Sequence, residues 1–237
     1  MLKKLSFVAS VVMALSVSVW ACPPECTGGD KAGTVAHKSG CCKTNALVAK
    51  VMQSLPHVTY KIGDQETACP EEAAKLAKAD EDVKIVYLVG NKSFESKDEA
   101  FAQLATVLDS EAEKMLTVRY SVDGECMYCP MSAAATAKAK NTEMKYRVAG
   151  VDFANREQAE KAIDLAKAAV AKVSVTIKAG EAERTVTKLD DDSKPCSAMK
   201  ATFIVNGEET HCPIQAKLLL AQARIRAMIE AAAAQAS

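Results

Sequence analysis

Cys126 and Cys129 lie three residues apart in the run Gly124-Glu125-Cys126-Met127-Tyr128-Cys129-Pro130. Proline suits the first turn of a helix, where its missing N–H leaves no bond unmade. The spacing therefore places Cys129 at or beside a helix N-cap. There the positive end of the helix dipole lowers the thiol pKa and favours the thiolate, the form that binds metal or attacks a disulfide. Two sulfurs across one strand-to-helix turn suit a soft ion such as copper(I), mercury(II) or zinc(II). They equally suit a disulfide, either reversible or structural.

Two further Cys-Pro pairs, Cys69-Pro70 and Cys212-Pro213, carry one sulfur each, and Glu66 and Glu209 stand where the second sulfur is found in the 126–129 run. A helix-capping role is enough to account for a lone cysteine there. Cys69, Cys212 and the neighbouring His211 are additional thiol or metal candidates of lower specificity. The same applies to Met127, Met131, Cys196 with Met199, and the Cys41-Cys42 doublet. Asp190-Asp191-Asp192 lacks the spaced oxygens of a calcium loop and reads as a solvated turn.

The three Cys-Pro pairs belong to a repeat. Tyr60, Tyr120 and Phe203 each precede their cysteine by nine residues, and the first two copies are 60 residues apart. Gly90 and Gly150 each follow their cysteine by 21 residues, with Phe94 and Phe153 soon after. Cys42-Lys43-Thr44-Asn45-Ala46 resembles a partial copy at the front, and the third copy ends inside its first helix.

The elements that must position these cysteines follow from periodicity. Val83–Val89 and Met144–Ala149 are β-rich. Phe101, Leu104, Ala105, Leu108, Ala112 and Met115 recur at helical spacing, as do Ala159, Ala162, Ile163, Ala166 and Val170. Ser96-x-x-Glu99 and Asn155-x-x-Gln158 are capping-box patterns at the starts of these helices. Ile214, Leu218, Ala221, Ile225 and Met228 line one face of a last helix that runs into an alanine-rich tail.

The expected fold is therefore α/β (α+β), with tandem ferredoxin-like βαββαβ repeats, Cys-Pro at the start of the first helix of each unit, and a truncated last unit. The strand near 118–122 would both close one unit and open the next. The expected boundaries are a signal peptide over 1–21, a Cys-rich tether over 22–43, unit one with a preceding helix over 44–117, unit two over 118–178, and a partial unit three over 179–237.

Met1-Leu2-Lys3-Lys4 followed by an apolar run ending Val19-Trp20-Ala21 reads as a secretory signal, too short to span a membrane. Export to the periplasm or cell envelope is the expectation. Cleavage before Cys22 would leave the cysteine that a bacterial lipoprotein modifies, and a lipid there would be the only membrane attachment. Nine cysteines are an odd number for complete pairing in an oxidising compartment. Lys plus Arg and Asp plus Glu balance at 30 each, which excludes a basic field for nucleic acid. The three histidines fall in no catalytic pattern.

Residues 118–178, through Val122-Asp123-Gly124-Glu125-Cys126-Met127-Tyr128-Cys129-Pro130, resemble the heavy-metal-associated domain family, including its periplasmic mercury-binding members. In that family a ferredoxin-like fold carries Gly-Met-x-Cys-x-x-Cys between the first strand and the first helix. The resemblance implies a ligand role for Cys126 and Cys129 alone. Here one residue rather than two separates the glycine from the first cysteine, and the family's methionine is absent. The functional expectation is an exported soft-metal-binding protein, with copper, mercury or zinc as the metal. The alternatives are a thiol-disulfide exchange protein acting on a thiol partner, and a structural or partner-binding repeat protein.

Overall fold

Each aromatic-to-cysteine stretch folds as a short β-hairpin that runs straight into a helix. The computed structural model describes residues 40–79, 83–189 and 201–236, with side chains from residue 44 onward. A leading helix α1 (Gly40–Ser54) precedes unit one, which comprises β1 (Val58–Ile62), β2 (Gln65–Thr67), α2 (Pro70–Ala79), β3 (Ile85–Val89), β4 (Lys92–Phe94) and α3 (Lys97–Met115). Unit two comprises β5 (Arg119–Val122), β6 (Glu125–Met127), α4 (Pro130–Lys140), β7 (Met144–Val148), β8 (Val151–Phe153) and α5 (Arg156–Val170). Last come β9 (Val175–Ala179), β10 (Ala182–Val186), β11 (Ala201–Val205), β12 (Glu208–Thr210) and α6 (Pro213–Ala236). Pro70, Pro130 and Pro213 each open a helix, as the repeat requires. In all three the cysteine carbonyl accepts the first helical bond, from the amides of Ala73, Ala133 and Ala216 at 3.0, 3.0 and 2.9 Å.

The chain is thus mixed α/β, built from tandem repeats with Cys-Pro at the start of a helix. Units one and two contain the expected strand-helix-strand-strand-helix series, with one strand more. β2 and β6 fold back on β1 and β5 before the helix begins. That extra reversal makes the strand after the helix return antiparallel to the first strand, so the two pair directly. The sheet orders are β2-β1-β3-β4 and β6-β5-β7-β8, antiparallel throughout. The short extra strand takes the sheet edge that the closing strand of a βαββαβ unit would occupy. β5 accordingly serves the second sheet alone.

The strand expected to close unit two, β9, lies instead in the third sheet, whose order is β10-β9-β11-β12. Phe203 pairs with Ile177 as Tyr60 pairs with Tyr87 and Tyr120 with Tyr146. β9 and β10 therefore stand where β3 and β4 stand in the first sheet. The third copy does stop in its first helix, yet its sheet is whole, because the hairpin preceding it in the chain supplies the other half.

The same register shows that Gly90 and Gly150 are not equivalent. Gly90 comes three residues after Tyr87 and Gly150 four after Tyr146, so they hold the first and second places of their hairpin turns. Unit two is one residue shorter between cysteine and tyrosine, which hid the difference behind an equal interval. The turn at Ala149-Gly150 has φ of +49° and +81° at successive residues, the left-handed pair of a I′ hairpin.

On the second sheet the cross-strand row Tyr120, Tyr146, Phe153 marks the face that both helices cover. α4 closes a small core of Val122, Ala133 and Ala137 at one end. Val148, Val151 and Phe153 join α5 at the other end. The main core lies where α3 and α5 pack along α6, through Leu104 and Leu108, through Ala159, Ala162 and Ala166, and through Ile225, Met228 and Ile229. The alanine-rich end of α6 is no tail, since Ala232 and Ala233 are buried in that core. The first half of α6 covers the third sheet with Ala216, Leu220 and Ala223.

Of the two expected capping boxes, Asn155 accepts from the Gln158 amide at 2.9 Å, whereas Ser96 starts its helix with no side-chain cap bond. The signal segment 1–21, Cys22, the tether up to residue 39, Asp190-Asp191-Asp192, Cys196 and Met199 lie outside the described residues. The backbone of Cys41 and Cys42 is already helical, so the helix expected from residue 44 starts at Gly40. Cys42 is therefore not the N-cap of a strand-to-helix passage like those of the three copies.

Candidate functional site

In units one and three a threonine organises the cysteine. The Cys69 amide donates to Thr67 Oγ1 at 3.1 Å and the Cys212 amide to Thr210 Oγ1 at 3.2 Å. The threonine hydroxyls in turn donate to Glu72 at 2.5 Å and to Gln215 at 3.5 Å. These are short local networks that fix a helix start, a job that needs no sulfur chemistry. His211 is held in the same manner, with Nδ1 3.3 Å from both the Ala201 carbonyl and the Thr202 hydroxyl.

Unit two has lost this arrangement at every position. Met127 replaces the threonine, Ser132 replaces the Glu or Gln, and Cys126 replaces the glutamate. Cys129 is the N-cap of α4 with extended backbone and Pro130 behind it. The neutral thiol makes no well-formed cap bond. The amides of Ser132 and Met131 and the Ser132 hydroxyl nevertheless approach the sulfur, and their donation lowers the Cys129 pKa below its ordinary value. The Ser132 amide is the largest cause of that shift.

Cys126 sits on β6 opposite Ser121, on the sheet face away from α4. Strand alternation brings Arg119, Arg147 and Asp152 to that same face. Arg147 makes a two-pronged ion pair with Asp152, Nε to Oδ1 at 2.5 Å and Nη2 to Oδ2 at 2.8 Å, and its Nη1 donates to the Gly124 carbonyl at 3.0 Å. Ser121, 2 % exposed, donates to Asp152 at 3.2 Å. Hydrogen bonding to Asp152 holds the Arg147 pKa above its ordinary value. This network pins the hairpin turn that carries Cys126. It was readable in the sequence only as period-two alternation of polar residues on two strands.

Cys126, Cys129, Cys69 and Cys212 are free thiols; the first three are exposed and Cys212 is partly so. The fold does not gather them, since each copy keeps its cysteine on its own sheet. Among the described residues no group of three or more His, Cys, Asp and Glu forms. Of these four, only Cys126 and Cys129 share one short passage, a span of three residues that limits their Cα separation to about 10 Å. Two apolar side chains stand out from the surface beside them, Tyr128 at 73 % and Met131 at 81 % exposure.

One consequence concerns pH. Alkylation of Cys129, followed by peptide mass spectrometry across a pH series, should show its midpoint below that of an ordinary thiol, and Ser132→Ala should move it upward because a donor to the thiolate is lost. An unchanged midpoint would mean that the Ser132 hydroxyl does not tune the sulfur.

Among the described residues no helix is long and apolar enough to cross a membrane. Compared with protein-family models, with curated proteins and with solved structures, the chain matches none.

Proposed function

We propose that this is an exported protein of the cell envelope that binds a soft metal ion through Cys126 and Cys129. The observation that carries the reading is the divergence of one repeat from the other two. Where units one and three spend Thr67 and Thr210 on a self-contained helix start, unit two offers a second free sulfur and donors that favour the Cys129 thiolate. Two thiolates suit copper(I) or mercury(II), which accept linear coordination, better than zinc(II), which takes four ligands. The thioether of Met131 lies close by in sequence as a soft third donor. Thiol-disulfide exchange is the second reading, favoured by an exposed Cys129 with a lowered pKa beside a second free thiol.

The test is titration of reduced protein with copper(I) against a competing chelator. Cys126→Ala and Cys129→Ala are each expected to weaken binding at least tenfold, while Cys69→Ala binds as the wild type does. Equal affinity in all four proteins would remove the pair as the site and favour a structural repeat. Absence of binding together with a readily cycled Cys126–Cys129 disulfide would favour exchange.

A further inference from the structure

Behind Cys126 lies a cavity of about 410 Å³ between α1 and the outward face of the second sheet. One wall is apolar, formed by Leu47 and Val51 of α1 and by Leu55 just after it, and the other presents Arg119, Cys126 and Arg147. The two arginines differ. Arg147 is satisfied by Asp152 and Gly124, whereas Arg119 Nε and Nη2 are buried with no hydrogen-bond partner. Those two nitrogens form one edge of the guanidinium and present two parallel N–H bonds, the fork that a carboxylate grips with both oxygens. Leaving a buried donor without an acceptor destabilises the fold, and more so when the donor is charged.

The charges around the cavity point the same way. Lys50 also lines it and makes no ion pair among the described residues, while the one lining acid, Glu111, is engaged by Lys114 at 2.7 Å. A larger cavity of about 760 Å³ beside α6 offers no such unmet group, because its Arg224 already binds Asp109 and the Thr187 carbonyl. The ring of Tyr128 lies 4.9 Å over the Arg119 guanidinium. Both nitrogens are closed to water, so a ligand reaches them only after a covering side chain moves; the Tyr128 ring, at 73 % exposure, is the neighbour with least packing to lose.

We propose that this cavity binds a small organic carboxylate, its acid group on the Nε and Nη2 edge of Arg119 and its apolar part against α1. Cys126 lines the same cavity, so the ligand lies beside the sulfur and shields it. The inference does not depend on metal binding, because shielding is read on metal-free reduced protein.

The experiment measures the rate of Cys126 alkylation, with Cys129 as the internal reference, while 3-phenylpropionate is added, with its neutral amide and inorganic phosphate as comparison probes. Expected is saturable protection of Cys126 by the acid and at least tenfold weaker protection by the amide. Arg119→Gln should lose the effect at least tenfold and Arg119→Lys should recover part of it. Leu47→Trp, which fills the cavity from the opposite wall without touching the arginine, should abolish it. Equal protection by acid and amide, or undiminished protection in Arg119→Gln, would overturn the proposal. Saturable protection by phosphate without protection by the acid would overturn the carboxylate assignment.

Discussion

A chain ending at Ala223 is expected to lose cooperative unfolding, although thirteen of the fourteen residues removed lie in a helix whose far end reads as an alanine tail. The removed segment carries Ile225, Met228 and Ile229, all at 0–1 % exposure, between α3 and α5. Burying each such side chain contributes about 1.5–3 kcal/mol. Three of them approach the whole net stability of an ordinary domain, about 5–15 kcal/mol. The single change Ile225→Ala should cost about 2–5 kcal/mol through lost burial and a residual cavity. At about 2–4 °C per kcal/mol for a chain of this size, the melting temperature should fall clearly. Leu165→Ala, at a position 45 % exposed on α5, is the matched control and should fall within about 1 kcal/mol of wild type. Circular dichroism melts of the three variants decide it, and a truncated chain that melts as sharply as the full one would show that α6 does not join the units.

Gly150→Ala should be the most damaging exchange of a glycine for alanine, and Gly90→Ala a much milder one. Both residues have positive φ, +81° and +57°, where an L side chain is strained by about 1–2 kcal/mol. They differ in what a new Cβ would meet. At Gly90 nothing lies within 4 Å, whereas at Gly150 the Cβ would stand 2.6 Å from Val51 Cγ2 on α1. Overpacking of that kind costs about 1–3 kcal/mol more. The turn cannot simply yield, because the Ala149 amide donates to the Met115 carbonyl at 3.1 Å and so ties it to the end of α3. Val51→Ala should therefore rescue most of the difference in a double-mutant cycle on chemical denaturation. Equal costs at the two glycines, or no coupling to Val51, would show that α1 does not press on this turn.

These two sites mark where reading along the chain stops being enough. The Cys-Pro helix starts were legible because proline and an N-cap cysteine act within one turn, and the main strands and helices because periods of two and 3.6 residues are local properties. The threonine networks at Thr67 and Thr210 were legible in principle as well, since the copies repeat Glu-Thr-x-Cys-Pro and only unit two departs from it. β2, β6 and β12 were not, because three residues are too short to show a period.

Local residue patterns were enough for the tandem α/β units, for the helix that follows each Cys-Pro, and for Cys126 and Cys129 as the one Cys-Pro start with a second cysteine three residues before it. Long-range packing settled which strands share a sheet, that β9 and β10 complete the third sheet from upstream, and that α6 joins the main core. It also decided that Arg119, Arg147 and Asp152 share a face with Cys126 under α1. The reason is physical: helix starts, caps and periods arise from bonds within a few residues, whereas an antiparallel edge accepts any strand that reaches it with matching alternation. Burial, likewise, depends on what the rest of the chain brings to a face.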